Sequence, residues 1–428
     1  PSEVGEISAM VELALNENSL TGPIPSEVGL MTSITRLHLQ NNSITGPVPS
    51  EVGEISTMVE LALHENALTC HIPSEVGLMA SMTRLYLYSN KLSGPVPSEI
   101  GEISTMIDLQ VAENALTGHI PSEVGLMTSM TKLCLYGNKL SGPVPSEVGV
   151  IWTMEDLELQ DNALTGHIPS EVGLMTRLMW LYLFSNGLSG SIPSEVGQIS
   201  TMVDLELAFM ALTGHIPSEV GLMTSMMWFY LISSGLSGPI PSEIGEISTM
   251  AMLALYENAL TGPIPSEVGS MINMAKLALF SNSLSGPIPS EVGQIAHLEE
   301  LSLRMNSLSG ALPSEIGLMS QLQVLRVENN TLAGEIPREL MSMNGALTKV
   351  TLTNNSFSGM VLESFCSLGE YDSTVGLGLS FDCNNQLCGC YWCPCGLLSG
   401  IVENSAALEE ELIVVENNSD GAVLPIGL

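Results

Sequence analysis

The residues able to bind or react are unevenly placed along the chain. Cys366, Cys383, Cys388, Cys390, Cys393 and Cys395 crowd one end, five of them inside "CNNQLCGCYWCPC". Such a cluster serves either as three disulfides or as a zinc site, because thiolate sulfur ligates zinc readily. His71, His119, His167 and His215 recur at intervals of 48 residues, and a Glu recurs in "PSE" from Glu3 through Glu315 to Glu339. Imidazole titrates near neutral pH or holds a metal, and carboxylate oxygens suit calcium. A third set, Tyr86, Tyr88, Tyr136, Trp180, Tyr182, Phe184, Trp228, Tyr230 and Ile232, is suited to contact. There is no Gly-rich phosphate loop and no Ser/His/Asp grouping outside the repeats. Side chains repeated this often make no unique constellation, so no catalytic residue, metal or cofactor is assigned and an enzyme is not expected.

A repeat positions these residues. From Pro1, Pro25 and Pro49 through Pro313 and Pro337, blocks of 24 residues read P-S-E-V-G-x-I/M-x-x-M-x-x-L-x-L-x-x-N-x-L-T/S-G-x-I/V. In "MVELALNEN" Leu13 and Leu15 alternate with Glu12, Ala14 and Asn16, the pattern of a strand with one buried face. One block cannot bury its Leu, Ile and Met face alone, so blocks must stack. Pro ends each ladder, and the Gly of "PSEVG" is expected to permit the chain reversal. Asn18, Asn42, Asn66, Asn90 and their successors to Asn330 carry amides able to satisfy buried turn backbone. The template lapses at Met210 and Ser234, where local irregularity is expected.

The consensus L-x-x-L-x-L-x-x-N-x-L with its appended G-x-I-P resembles the plant-type extracellular leucine-rich repeat proteins, over roughly residues 1–361. The resemblance implies an α/β repeat solenoid, with a parallel sheet on a concave face and short 3-10 or irregular segments on the convex side. Residues 1–361 are read as about 15 coils, 362–400 as a Cys-rich C-terminal cap and 401–428 as an acidic and apolar tail or extra strand. Disulfides are favoured in the cap, because the open end of a stack needs covering and small coreless caps are usually stapled. The Cys spacing is similar to that of secreted diatom-like repeat proteins. Cys70 and Cys134 lie on different faces several coils apart and are expected to be free.

A second period of 48 residues runs through the first. The leading outward column reads Glu12, Arg36, Glu60, Arg84, Asp108, Lys132, Asp156, then Trp180, Asp204, Trp228. Coils stacked about 4.8 Å apart would place opposite charges side by side, relieving repulsion at about 0–1 kcal/mol per exposed pair. The nine contact residues named above fall in even coils, densest from 180 to 232, and all are expected to be exposed. An alternative is that the rings lie flat over the strands. The histidines, about 9.6 Å apart on that spacing, are too distant for two to share one metal ion. The Glu column, one carboxylate per coil, reads as a solvated acidic rail.

Eleven Lys and Arg against 46 Asp and Glu give a net charge of −35, which excludes nucleic acid and anionic membrane surfaces as partners. The uncharged window 221–240 is long enough to suggest a membrane span, but it fits the repeat template and is assigned to a coil. The chain opens inside a repeat, so a signal, cap or anchor is expected before it. Sequons at Asn41, Asn329, Asn354 and Asn417 agree with an extracellular or cell-surface glycoprotein. The expected function is recognition or adhesion, with a protein, peptide or glycan on the concave face. The alternatives are head-to-tail self-association into filaments or a coat and, from the alternating Thr and Ser column, ice binding.

Overall fold

A computed structural model describes residues 9–359, apart from 342 and 344–346, together with the backbone of 378–380. Residues 1–389 form one compact unit and 390–428 a second, and all the described residues lie in the first. The six clustered cysteines, Asn417, the tail and all of the expected cap except the strand Gly378–Ser380 fall outside the described residues.

Within the first unit the chain is a leucine-rich repeat solenoid. One three-residue strand per coil joins a sheet of sixteen parallel strands, from Glu12–Ala14 through Trp180–Tyr182 and Trp228–Tyr230 to Gly378–Ser380. Register is uniform: residue n faces n + 24 through most of the stack, as in Asp156 with Trp180 and Trp180 with Asp204. Opposite this sheet run five-residue 3-10 turns such as Ser170–Leu174, each preceded by an extended Pro that needs no amide partner there. Seven apolar side chains per coil point inward. In one coil Val148, Ile151, Met154, Leu157, Leu159, Leu164 and Ile168 are at most 3% exposed, each stabilising the stack by roughly 1.5–3 kcal/mol. Leu13 and Leu15 take the inward positions in register with the buried Leu37 and Leu39, but at the edge of the described stack, where one coil covers them, Leu13 is half-buried and Leu15 is 39% exposed. The window 221–240 contributes a 3-10 turn and the strand Trp228–Tyr230 to this stack.

Asparagine locks each turn as its chemistry suggests. The Asn138 amide donates to the carbonyls of Val111, Leu135 and Tyr136, while its oxygen accepts from the Leu116 amide. One side chain thus satisfies backbone groups of its own coil and of the preceding one. The residue before each Asn takes a left-handed φ, as at Glu113 (51°) and Asp161 (54°), which tightens the turn around the amide.

The Gly of "PSEVG" does not serve the reversal. Its φ is not left-handed; the positive φ belongs to the Gly of "LTG", as at Gly118 (81°) and Gly166 (83°). The first glycine permits close approach instead: a Cβ at Gly125 would meet the Glu147 carbonyl oxygen at 2.6 Å. Any larger residue there would wedge neighbouring coils apart.

A second ladder runs beside the Asn column and breaks into sheets of three, six and six strands. The first break follows Ala67–Leu68, where Cys70 replaces the glycine and holds a φ of 69°. The second lies between Ala211–Leu212 and Ser237–Gly238, at the lapse expected from Met210 and Ser234. There the Ser234 hydroxyl donates back to the Ile232 carbonyl, and no Asn oxygen meets the Leu212 amide. The 48-residue period also stabilises the fold. Thr57, Thr105, Thr153, Thr201 and Thr249 each bond two carbonyls of the preceding coil, as Thr153 does to Thr128 and Met130.

Asn138→Ala leaves buried amides and carbonyls unpaired and is expected to lower stability in urea unfolding by about 1–3 kcal/mol. Ser234→Asn restores an acceptor for Leu212 and is expected to raise it by about 1 kcal/mol.

Candidate functional site: the acidic and aromatic sheet face

Strand alternation turns three columns of side chains away from the core, at positions such as 156, 158 and 160. In the leading column opposite charges meet across coils as expected: Arg36 with Glu12 at 3.6 Å, Arg84 with Glu60 at 3.4 Å, Lys132 with Asp156 at 2.6 Å and Lys276 with Glu300 at 3.0 Å. Asp108, between Arg84 and Lys132, is further satisfied by the Tyr86 hydroxyl at 2.9 Å and the Gln110 amide.

Asp204 breaks this pattern. Its register neighbours are Trp180 and Trp228. It is 3% exposed, its Oδ2 accepts from the Tyr182 hydroxyl at 3.0 Å, and its Oδ1 finds no hydrogen-bond partner among the described residues. Glu206, in the next column, faces Tyr182 and Tyr230. Burial pushes Asp204 up to about 7. Burial, then the Asp204 charge, push Glu206 up to about 8. Tyr182 and Tyr230 are held above their ordinary range by burial and by these same carboxylates. Asp156 also leaves Oδ1 without a hydrogen bond; the Lys132 ammonium lies 2.6 Å from its other oxygen, but burial and then the Glu158 charge still push it up to about 7.

The nine contact residues do share one face, though not as exposed stripes. Tyr86, Tyr88, Tyr136, Trp180 and Trp228 are half-buried, and Tyr182, Phe184, Tyr230 and Ile232 are buried, none above 8%. The close strand spacing is the cause: each ring covers smaller or acidic side chains of the adjacent coil, as Tyr182 reaches Asp204 and Tyr230 reaches the Met252 sulfur. Tyr182, Phe184 and Tyr230 are therefore packed down over neighbouring coils, while Trp180 and Trp228 keep accessible surface.

Two further ring stacks lie on the same face, outside the nine contact residues. Tyr256 lies on Phe280 at 4.2 Å, with the Arg304 guanidinium 4.5 Å from the Phe280 centroid. His64 stacks on Tyr88 at 4.3 Å, and burial, then the nearby His38, lower its pKa to about 4. Both occupy the outward column of Phe184, so following every coil of that column, not only the even ones, would have found them.

Cys134, Asp156 and Glu158 bring ligand atoms within 4.8 Å of one another. The Lys132 ammonium already sits 2.6 Å from Asp156 and 2.8 Å from Glu158. Burial opposes that charge, but Cys134, Asp156 and Glu158 outweigh it and hold Lys132 above its ordinary range. Burial also pushes the Cys134 thiol well up, so the cation of this cluster is the lysine. Cys134 and the exposed Cys70 are both free.

On the opposite side, His71, His167 and His215 place Nδ1 3.0–3.2 Å from the carbonyls of Ser93, Ser189 and Ser237, and they lie over Gly94, Gly190 and Gly238 of the next coil. His119 packs likewise on Gly142. These rings stitch coils together. The Ser hydroxyls of the Thr and Ser column turn back to carbonyls, Ser141 to Gly118 and Ser189 to Gly166, which spoils a uniform hydroxyl array. Asn329 and Asn354 are exposed at left-handed turn positions, whereas Asn41 is half-buried.

With the geometry in place, the comparisons agree on class. Residues 33–55 and 297–319 match the family model for the leucine-rich repeat. The chain is similar to the plant peptide hormone receptor RGFR1, solved in complex with RGF2, at 30% identity and a TM-score of 0.77, over 89% of this chain and 64% of that one. It is similar to the ectodomain of the Arabidopsis receptor kinase HAESA, solved with an IDA peptide hormone ligand lengthened at its N-terminus, at 28% identity and a TM-score of 0.73, over 89% and 66%. It is also similar to a leucine-rich repeat protein of Leptospira interrogans, at 28% and 0.66, over 82% and 86%. The chain thus spans about two thirds of the length of the two receptor structures. A search of curated proteins returns no match. Among the described residues no helix is long and apolar enough to cross a membrane.

The buried acids give stability a pH dependence. In the unfolded chain Asp204 and Glu206 ionise near their ordinary values of 3.8 and 4.5, whereas the folded chain holds these protons until about 7 and about 8. Between those limits the folded state binds more protons, so stability falls as pH rises through the window. The melting temperature is expected to drop from pH 5 to pH 8.5, and Asp204→Asn with Glu206→Gln is expected to remove part of that drop, the remainder belonging to Asp156, which burial also pushes up to about 7.

Proposed function

We propose that the protein acts outside the cell as a non-enzymatic recognition module, binding an extended peptide or protein segment across the outward face of the long sheet around Trp180 and Trp228. The observation that carries this reading is Asp204: a buried carboxylate without a basic neighbour, flanked by two accessible indoles, on a face where other acids of the column are paired. Burying such a charge is costly unless a partner meets it, and Trp is among the residues most often dominant at interfaces. The peptide complexes of RGFR1 and HAESA, whose repeat domains resemble this one, support a peptide as ligand class. Exposed sequons at Asn329 and Asn354 support the extracellular setting.

Selection from a displayed library of random peptides is expected to enrich sequences that bind the wild type and lose at least about tenfold in affinity against Trp180→Ala with Trp228→Ala. Binders indifferent to that pair of substitutions would place recognition elsewhere.

A further inference from the structure

The leading outward column alternates acid and base, Glu12, Arg36, Glu60, Arg84, Asp108, Lys132, Asp156, and resumes with Lys276 and Glu300. Between these stretches the even coils carry Trp180 and Trp228 where a basic residue is due. Asp204 therefore keeps its place in an ion-pair column whose cations on both sides have become indoles. We propose that this gap is a cation subsite: a Lys or Arg side chain of the partner peptide enters between Trp180 and Trp228 and pairs with Asp204, with Glu206 behind it.

Strand spacing supports the fit. Successive strands lie about 4.8 Å apart, so the two tryptophan positions stand about 9.6 Å apart in register with Asp204 midway, and a cation held at Asp204 is within the ~6 Å range of an indole on either side. Asp204 Oδ1, buried and unpartnered on a residue that is 3% exposed, supplies the acceptor. The other groups facing this point are Tyr182, which donates to Oδ2, Tyr230, and Asp156 beyond Trp180, whose charge Lys132 already engages. None of them is a cation. A planar guanidinium would stack on the indoles and bond the carboxylate together, which an ammonium does less completely. Because Asp204 and Glu206 hold protons near neutral pH, an entering cation displaces them. Affinity should therefore rise with pH, opposite to folding stability.

The inference rests on the proposed peptide-binding face, and its test separates the two. The probe is the pentapeptide acetyl-Gly-Gly-Arg-Gly-Gly-amide, set against its neutral citrulline counterpart by titration calorimetry. The arginine peptide is expected to bind about tenfold or more tightly at pH 8, with the margin shrinking toward pH 5. Asp204→Asn should erase the margin. Trp228→Lys, which restores the alternating column and should fold at least as stably, should abolish binding of the arginine peptide by supplying the cation internally. Equal binding of the two peptides, or a margin retained in Asp204→Asn, would overturn the inference. If library-selected neutral peptides are lost in Trp180→Ala with Trp228→Ala and no arginine preference is seen, the face binds peptides and the cation subsite is wrong. An arginine margin that depends on Asp204 while library binders ignore the tryptophans leaves the subsite standing and removes the wider reading.

Discussion

One asparagine amide per coil is the interaction on which the solenoid depends. A 24-residue coil must turn tightly between its strand and its second ladder, and stacking buries that turn, leaving carbonyls and an amide away from water. The Asn side chain meets three carbonyls and one amide at once, and it spans two coils, as Asn162 does from Leu135 to Leu159 and Gln160. Each coil is thereby completed by the next. The effect of its loss is visible where Ser234 stands in its place: the second ladder, still continuous into the coil of Met210, divides before the coil of Ser234. Close packing of "PSEVG" against the next coil's Glu carbonyl sets the pitch on the other side.

That pitch dictates what the outward face can hold. Charges about 4.8 Å apart in register must alternate in sign or repel, and side chains as large as Tyr and Trp must lie over their neighbours. Alternation of two coil types meets both demands, with a short acidic or small coil beneath each basic or aromatic one. Asp204 and Glu206 are then the consequence of carrying aromatics where bases belong. Their neighbouring rings bury them without supplying a cation; Lys132 stands against Asp156 and Glu158, although burial and then the Glu158 charge still push Asp156 up to about 7. The site and the break in the Asn ladder occupy the same coils, so a weakened seam and an uncompensated charge coincide.

Much of this was legible in the sequence because repetition makes geometry additive. Knowing that residue n faces n + 24 gives the charge pairs from a printed column, and Arg36 with Glu12 and Lys132 with Asp156 follow directly. The Met210 and Ser234 lapse likewise names its own location. Exposure was not legible. Whether Tyr182 projects or lies flat depends on the gap beside it and on Asp204 accepting its hydroxyl, which no periodicity encodes. The role of the "PSEVG" glycine was hidden for a similar reason: a residue type permits both a positive φ and a close approach, and only coordinates separate them. Tyr256 and Arg304 sit in odd coils, where the column carries small or polar residues further up the stack, and Phe280, in an even coil, lies beyond the aromatic run that ends at Ile232.

The central claim is that Asp204 and Glu206 are buried carboxylates left without a cation. Carboxyl-carbon NMR titration of the protein labelled at Asp and Glu, assigned with Asp204→Asn and Glu206→Gln, measures this directly. The account predicts midpoints of about 7 for Asp204 and about 8 for Glu206. Midpoints for both near the ordinary carboxylate values, 3.8 and 4.5, would contradict it.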